Sequence, residues 1–335
     1  LPGSWLVEVA YSANHGTKLV AAGYDFNQLD NQYWSLGLGL QDRVPNPYAG
    51  IVPGALGAAT LARSQALRPY PYYTNISVRS PHMGNSIYYS LLVSVEKRLS
   101  QGLAFLASYT NSKLISDSVV SPLRFGTAEQ LGVYGYQDGK FNRRAERSLD
   151  PADTAQRLVL SAVYELPFGK GRKWAPSNRV ANALAGGWQV DTITTLQGGI
   201  PLLIRGANNF RADRPDSTGR TALLENPEAG RWFDTTAFVN PPSFTLGNVG
   251  RTLPDVRTPG TVNVDFSVIK VTQIRERLRL QFRAETFNIA NHVNLGIPNT
   301  TFLPGPDGLN RSGTFGVITT AREARIGQLA LKLIF

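Results

Sequence analysis

The feature that most constrains this chain is a hydrophobic period of two, sustained over segments of about ten residues. In Ser86–Arg98, Ile87, Tyr89, Leu91, Val93 and Val95 fall on one face. Ser86, Ser90, Ser94, Glu96 and Arg98 fall on the other. Ser100-Gln101-Gly102 reads as a tight turn, after which Leu103, Phe105, Ala107 and Tyr109 resume the apolar face. The pattern recurs in 157–166, 188–197, 262–269, 277–285 and 329–335, and near the start in Trp5, Val7, Val9 and Tyr11. A weaker strand is expected at 18–24, after a turn at Asn14-His15-Gly16-Thr17. A basic helix over 274–287 is the competing reading, but Leu278, Leu280 and Phe282 keep the period of a strand. The fold class that follows is all-β, an antiparallel wall of about nine strands.

The links between these strands alternate in length. Those at 25–85, 116–154, 201–260 and 289–320 are long, and those at 13–16, 100–102 and 272–276 are very short. The link at 167–186 is intermediate. Long loops on one side and short turns on the other are the pattern of an outer-membrane barrel, with the long loops outside the cell. The long links are rich in Pro, Gly and Asn, as in Val44-Pro45-Asn46-Pro47 and Asn240-Pro241-Pro242. Loops of that length count against a compact soluble domain.

Composition removes several classes. No apolar run is long enough for a transmembrane helix, whereas barrel strands need only ~9–11 residues. There is no Cys, so disulfides, thiolate metal sites and cysteine nucleophiles are out. The three His are far apart, and no metal or other cofactor is expected. The net charge is +10, but the basic residues are spread along the chain and the densest cluster, Gly169–Lys173, is short. Nucleic acid is therefore not an expected partner. Gly169–Lys173 lacks phosphate-loop spacing, and no hydrolase or metalloprotease motif occurs, so no enzyme activity is expected. The sequence starts Leu1-Pro2-Gly3 with no Met or signal peptide, and a fragment or processed product is the expectation.

The last residues add a specific mark. Leu329, Leu331, Leu333 and Phe335 alternate to a terminal aromatic, which resembles the assembly signal of bacterial outer-membrane barrels. Longer stretches carry a family resemblance. They are Leu67–Pro71, Asn85–Leu91, Glu96–Leu103, Ala107–Lys113, Tyr164–Arg172, Gly186–Val190 and Arg283–His292. Together they are similar to the C-terminal barrel of TonB-dependent receptor-like proteins with an N-terminal carboxypeptidase-regulatory-like domain, the Oar-like group of Acidobacteria. The resemblance implies an incomplete part of a 22-strand barrel over residues 1–335. It also implies a plug and further strands missing from this chain. The implied partners are outer-membrane lipid, the TonB complex and the barrel-assembly machinery.

Charges on the polar face are the candidates for a lumen, plug contact or substrate path: Glu96, Arg98, Arg157, Glu165, Asp191, Asp265, Arg279, Arg283, Glu285 and Lys332. Arg or Lys on the lipid face would cost ~2–4 kcal/mol at the midplane, which is why the lumen is their place. Arg279, Arg283 and Glu285 are the first choice for plug contact. Trp5, Tyr11, Tyr89, Tyr109, Tyr164 and Trp188 read as interfacial girdle residues. In the loops Tyr70, Tyr72, Tyr73, Trp232, Phe233 and Phe244 are candidates for stacking on a ligand such as a sugar. Asp213, Asp216, Asp234 and Asp255 lack EF-hand spacing, which leaves a loop calcium site without a motif. The expected function is TonB-dependent uptake of a bulky solute. A surface adhesion scaffold, a passive porin and, remotely, a soluble carbohydrate-binding protein are the alternatives.

Overall fold

A computed structural model describes residues 4–79, 81–118, 137–138, 140–176, 178–207, 209, 213–275 and 277–335. The expected chain start, Leu1–Gly3, lies outside the described residues. Eight long strands form one antiparallel meander: β1 (Trp5–Val20), β2 (His82–Ser100), β3 (Leu103–Ser116), β4 (Gln156–Glu165), β5 (Trp188–Gln197), β6 (Thr261–Arg275), β7 (Leu278–Phe287) and β8 (Ile326–Ile334). Each pairs with the next in sequence. A two-residue strand, Ser148–Leu149, pairs with the upper end of β3 and brings the sheet to nine. The sheet does not close, since β1 and β8 each have one unpaired edge. The segment 278–287 is strand, not helix.

Two sequence expectations change. The segment Asn14–Thr17 is not a turn, and 18–24 is not a separate strand. Asn14, His15 and Gly16 stay on the β1 ladder, opposite Tyr88, Ile87 and Ser86. The irregularity is a bulge, where the register shifts between Gly16 and Leu19 and Lys18 takes a φ of 53°. A bulge keeps the ladder going while using turn-forming residues. Among the described residues the ninth strand of the sheet is thus the short Ser148–Leu149 piece, and the long strands number eight.

Following one row of paired residues shows how the strands lie. Trp5, the first residue of β1, faces Lys97, and the row runs on through Phe105, Ala162, Thr192, Phe266 and Thr286 to Gly327. It begins at the turn end of β1 and leaves at the loop end of β8. Such a stagger is the shear that tilts strands against a barrel axis. The strands are 9 to 19 residues long, so every one can cross a bilayer.

The short links all lie at one end. Gln101 and Gly102 join β2 to β3 with φ of 55° and 82°, the left-handed pair that a two-residue primed turn needs. A Cβ on Gly102 would also stand 2.7 Å from the Glu165 carbonyl oxygen. The β4–β5 link carries a short helix, Arg179–Ala185, capped by Asn178. At the other end the four long loops fold together. A core of Leu202, Ile204, Phe233, Phe238 and Val256 from the β5–β6 loop takes in Phe302 and Phe315 from the β7–β8 loop. Leu29 and Leu40 of the β1–β2 loop pack with Phe244 of the β5–β6 loop.

Candidate functional site

Register decides which side chains share a face, because neighbours directly opposite point the same way. Glu96 faces Leu106, which faces Ser161, and Glu165 lies on the same side of β4. Glu165 faces Gln189, Asp191 faces Ser267, Ser267 faces Glu285, and Glu285 faces Gln328. Carried across the sheet, this puts all ten candidate charges on one face. Three ion pairs form there: Glu96–Arg98 at 3.6 Å, Arg283–Glu285 at 3.5 Å and Glu165–Arg172 at 2.5 Å. Asp191 accepts a bond from Gln189 at 2.7 Å, and Asp265 accepts one from the Asn288 N–H at 3.0 Å. Arg157, Arg279 and Lys332 have no ion-pair partner among the described residues. Nonpolar residues interrupt this face at Leu92, Leu106 and Ile193, so it is mixed rather than uniformly polar.

The opposite face carries Val9, Leu91, Val93, Leu160, Val264, Phe282, Leu331 and their row neighbours. Its charges are confined to the ends. Lys97 turns its ammonium toward the turn end, donating to the Ser100 and Leu103 carbonyls at 2.9 and 3.0 Å. Lys270 donates to the carbonyls of Ala183, Leu184 and Gly186 and lies 4.8 Å from the centre of the Trp188 ring. Both lysines are half-buried and carry the charge toward the turn end, as lysines do at a membrane interface. Trp5, Tyr164 and Trp188 sit at this turn end, and Trp5 makes an edge contact with Phe105 at 5.1 Å. Tyr11, Tyr89 and Tyr109 cluster farther toward the loops, opposite Leu91, Ala13 and Val93. The C-terminal Leu329, Leu331 and Leu333 continue the apolar face, and they are exposed together with Phe335.

The loop candidates divide. Phe233 is fully buried, with ring contacts to Phe238 at 6.0 Å and Phe315 at 5.0 Å. It belongs to the loop core and offers no face to a ligand, which corrects its sequence assignment. Phe244 is buried likewise. Trp232 packs against the same core and spends its indole N–H on the Arg257 carbonyl at 2.6 Å. Tyr70, Tyr72 and Tyr73 stay exposed.

Sequence reading missed a buried ionic network beneath the loops. Glu146 and Arg214 pair at 2.5 Å, both almost wholly buried. Glu146 also accepts the Gln137 N–H at 2.8 Å. Arg251 donates to the Ser118 and Ser116 carbonyls at 2.6 and 2.7 Å, and Arg257 pairs with Asp153 at 2.6 Å. The arginines come from the β5–β6 loop and their partners from the β3–β4 side, so the network clamps one loop to the other. Its members are far apart in sequence and follow no period, so no sequence signal marked them.

The acidic loop residues have structural partners. Asp216 accepts the Asn248 N–H, and Asp255 accepts a bond from Thr221. Asp234 caps the Thr235–Ala237 turn. Burial pushes its pKa up, but the Thr236 N–H and hydroxyl and the Arg231 guanidinium outweigh this and hold it below the usual carboxylate value. Among the described residues no group of three His, Cys, Asp or Glu could hold a metal ion. Open cavities lie where the mixed face meets the loops, among them one of about 730 Å³ between Gln197, Thr261 and Thr320. Another of about 480 Å³ runs between Tyr88, Thr110 and Arg157 and the loop at 150–154. A third, about 650 Å³, is lined by Asn263, Asp265 and Arg322.

A tilted antiparallel meander with an apolar outer face, basic residues drawn to its ends and all long loops on one side defines an outer-membrane β-barrel wall. Comparison with protein families agrees: the model of the outer membrane beta barrel domain matches residues 1–328, and the chain belongs to that family. It is a protein of the bacterial outer membrane. No curated protein and no solved structure matches it.

Proposed function

We propose that the chain is part of the wall of a TonB-dependent receptor that takes up a bulky solute. The observation that carries this reading is the open sheet. Unpaired strand edges facing lipid cost several kcal/mol per backbone group, so further strands must cover β1 and β8 in the membrane. Eight strands closed on themselves would leave an interior just filled by side chains. The ten charges of the mixed face, with Arg157, Arg279 and Lys332 free of ion pairs among the described residues, instead suit a wide lumen holding a plug. Arg283 supports this too, since its Nε is buried without a hydrogen-bond partner. Arg279, Arg283 and Glu285 are the proposed plug contacts. TonB and the barrel-assembly machinery are the proposed partners, lipid covers the apolar face, and no catalysis is proposed.

The test uses the full-length gene product purified from outer membranes. A plugged receptor gives no steady conductance in planar bilayers and retains the periplasmic domain of TonB. A large steady conductance without TonB binding would identify a porin. Neither conductance nor TonB binding would favour an adhesion scaffold.

A further inference from the structure

The β1–β2 loop carries a group of aromatic rings that contributes little to any core. Tyr70, Tyr72 and Tyr73 are 37%, 36% and 53% exposed. Tyr72 contacts Tyr48 at 5.2 Å, Tyr70 at 6.3 Å and Tyr73 at 5.0 Å between ring centres, with interplanar angles of 65°, 80° and 53°. The rings therefore form a corrugated surface rather than a flat one.

The backbone beneath them is fixed with unusual thoroughness for an exposed loop. Asn27, fully buried, donates to the Tyr70 and Tyr73 carbonyls at 2.8 and 2.9 Å and accepts the Tyr70 N–H at 2.8 Å. Gln65 donates to the Pro71 and Tyr73 carbonyls at 2.7 and 2.8 Å. Bordering charges are engaged: Arg68 pairs with Asp25 at 3.1 Å, and Lys140 lies over the Phe26 ring. The tyrosine hydroxyls make no hydrogen bond within the described chain.

We infer that this tyrosine surface binds a neutral oligosaccharide chain. Pyranose rings present C–H faces to aromatic rings and hydroxyls to phenols, and the patch offers both, with the bordering Arg68 and Lys140 already engaged. A pinned backbone removes most of the ordering cost of binding. Two-torsion aromatic side chains add little more. The inference rests on the reading above that the loops face outward, and it names the solute class for that receptor.

The test is calorimetric titration of the detergent-solubilised full-length protein with cellohexaose, maltohexaose, xylohexaose and mannohexaose. At least one should bind. Combined Tyr72→Ala and Tyr73→Ala should weaken it by about tenfold or more, the effect of losing stacked rings. The corresponding Phe replacements should weaken it less. Ile51→Ser, an exposed apolar residue of the same loop, should leave affinity unchanged. No binding to any of the four would overturn the inference, as would an equal loss with Ile51→Ser. Oligosaccharide binding without TonB retention would sink the transport reading alone. TonB retention without oligosaccharide binding would sink only this inference.

Discussion

Glu146 and Arg214 show how much a single side chain can hold in the loop roof. Their pair is almost wholly buried. Removing one partner leaves the other charged in a dry site, at a cost of about 3–5 kcal/mol. Glu146→Ala should therefore make the loops markedly more sensitive to protease while the barrel strands stay protected. Replacing both residues by Met and Leu should recover most of the resistance. If Glu146→Ala alone left the proteolysis pattern unchanged, the clamp would be decorative. Asp234 makes a gentler prediction. Its folded pKa lies below the usual carboxylate value. Its contribution is thus present above the unfolded pKa and lost as pH falls through the folded one. Acidification should loosen the Thr235–Ala237 turn, read from the fluorescence of neighbouring Trp232. Asp234→Asn should flatten that part of the response.

Strands were the most legible elements in this sequence, because a two-sided environment writes its period directly into the side chains. The ten candidate charges fell on one face for the same reason. Legibility failed where local and long-range signals disagreed. Asn14-His15-Gly16-Thr17 has turn chemistry, yet β2 offers a partner for each of Asn14, His15 and Gly16, and the ladder absorbs the irregularity as a bulge. Phe233 looked like any loop aromatic, and only the fold shows it buried against Phe315. The clamp at Glu146 was invisible because Arg214 comes from another loop. At the element scale the two faces should respond unequally to charge. Leu160→Arg, mid-strand on the apolar face, should cost ~2–4 kcal/mol in unfolding from bilayers. Thr195→Arg, on the mixed face, should cost far less. Equal costs would mean the faces are assigned wrongly. Gly102→Val should slow assembly, since it forces a Cβ against the Glu165 carbonyl and strains a left-handed turn.

At the largest scale the described residues form a sheet with an apolar face, a mixed face, a folded roof and two unpaired edges. Its terminal Phe335 is almost fully exposed, so removing it should cost little packing. Phe335→Asp should nonetheless lower the amount that reaches the outer membrane if the terminal alternation is read by the assembly machinery. Normal levels of heat-modifiable protein would contradict that role. The central claim is which face meets lipid, and these 335 residues contain no cysteine of their own to compete with an engineered one. Single cysteines at Val93, Leu160, Phe282 and Leu331, and at Ser94, Ser161, Arg283 and Gln328, can each carry a spin label in the full-length protein in bilayers. Collision with oxygen, which concentrates in lipid, should dominate at the first four sites, and collision with a water-soluble nickel chelate at the second four. The same collision profile at both sets would contradict the account.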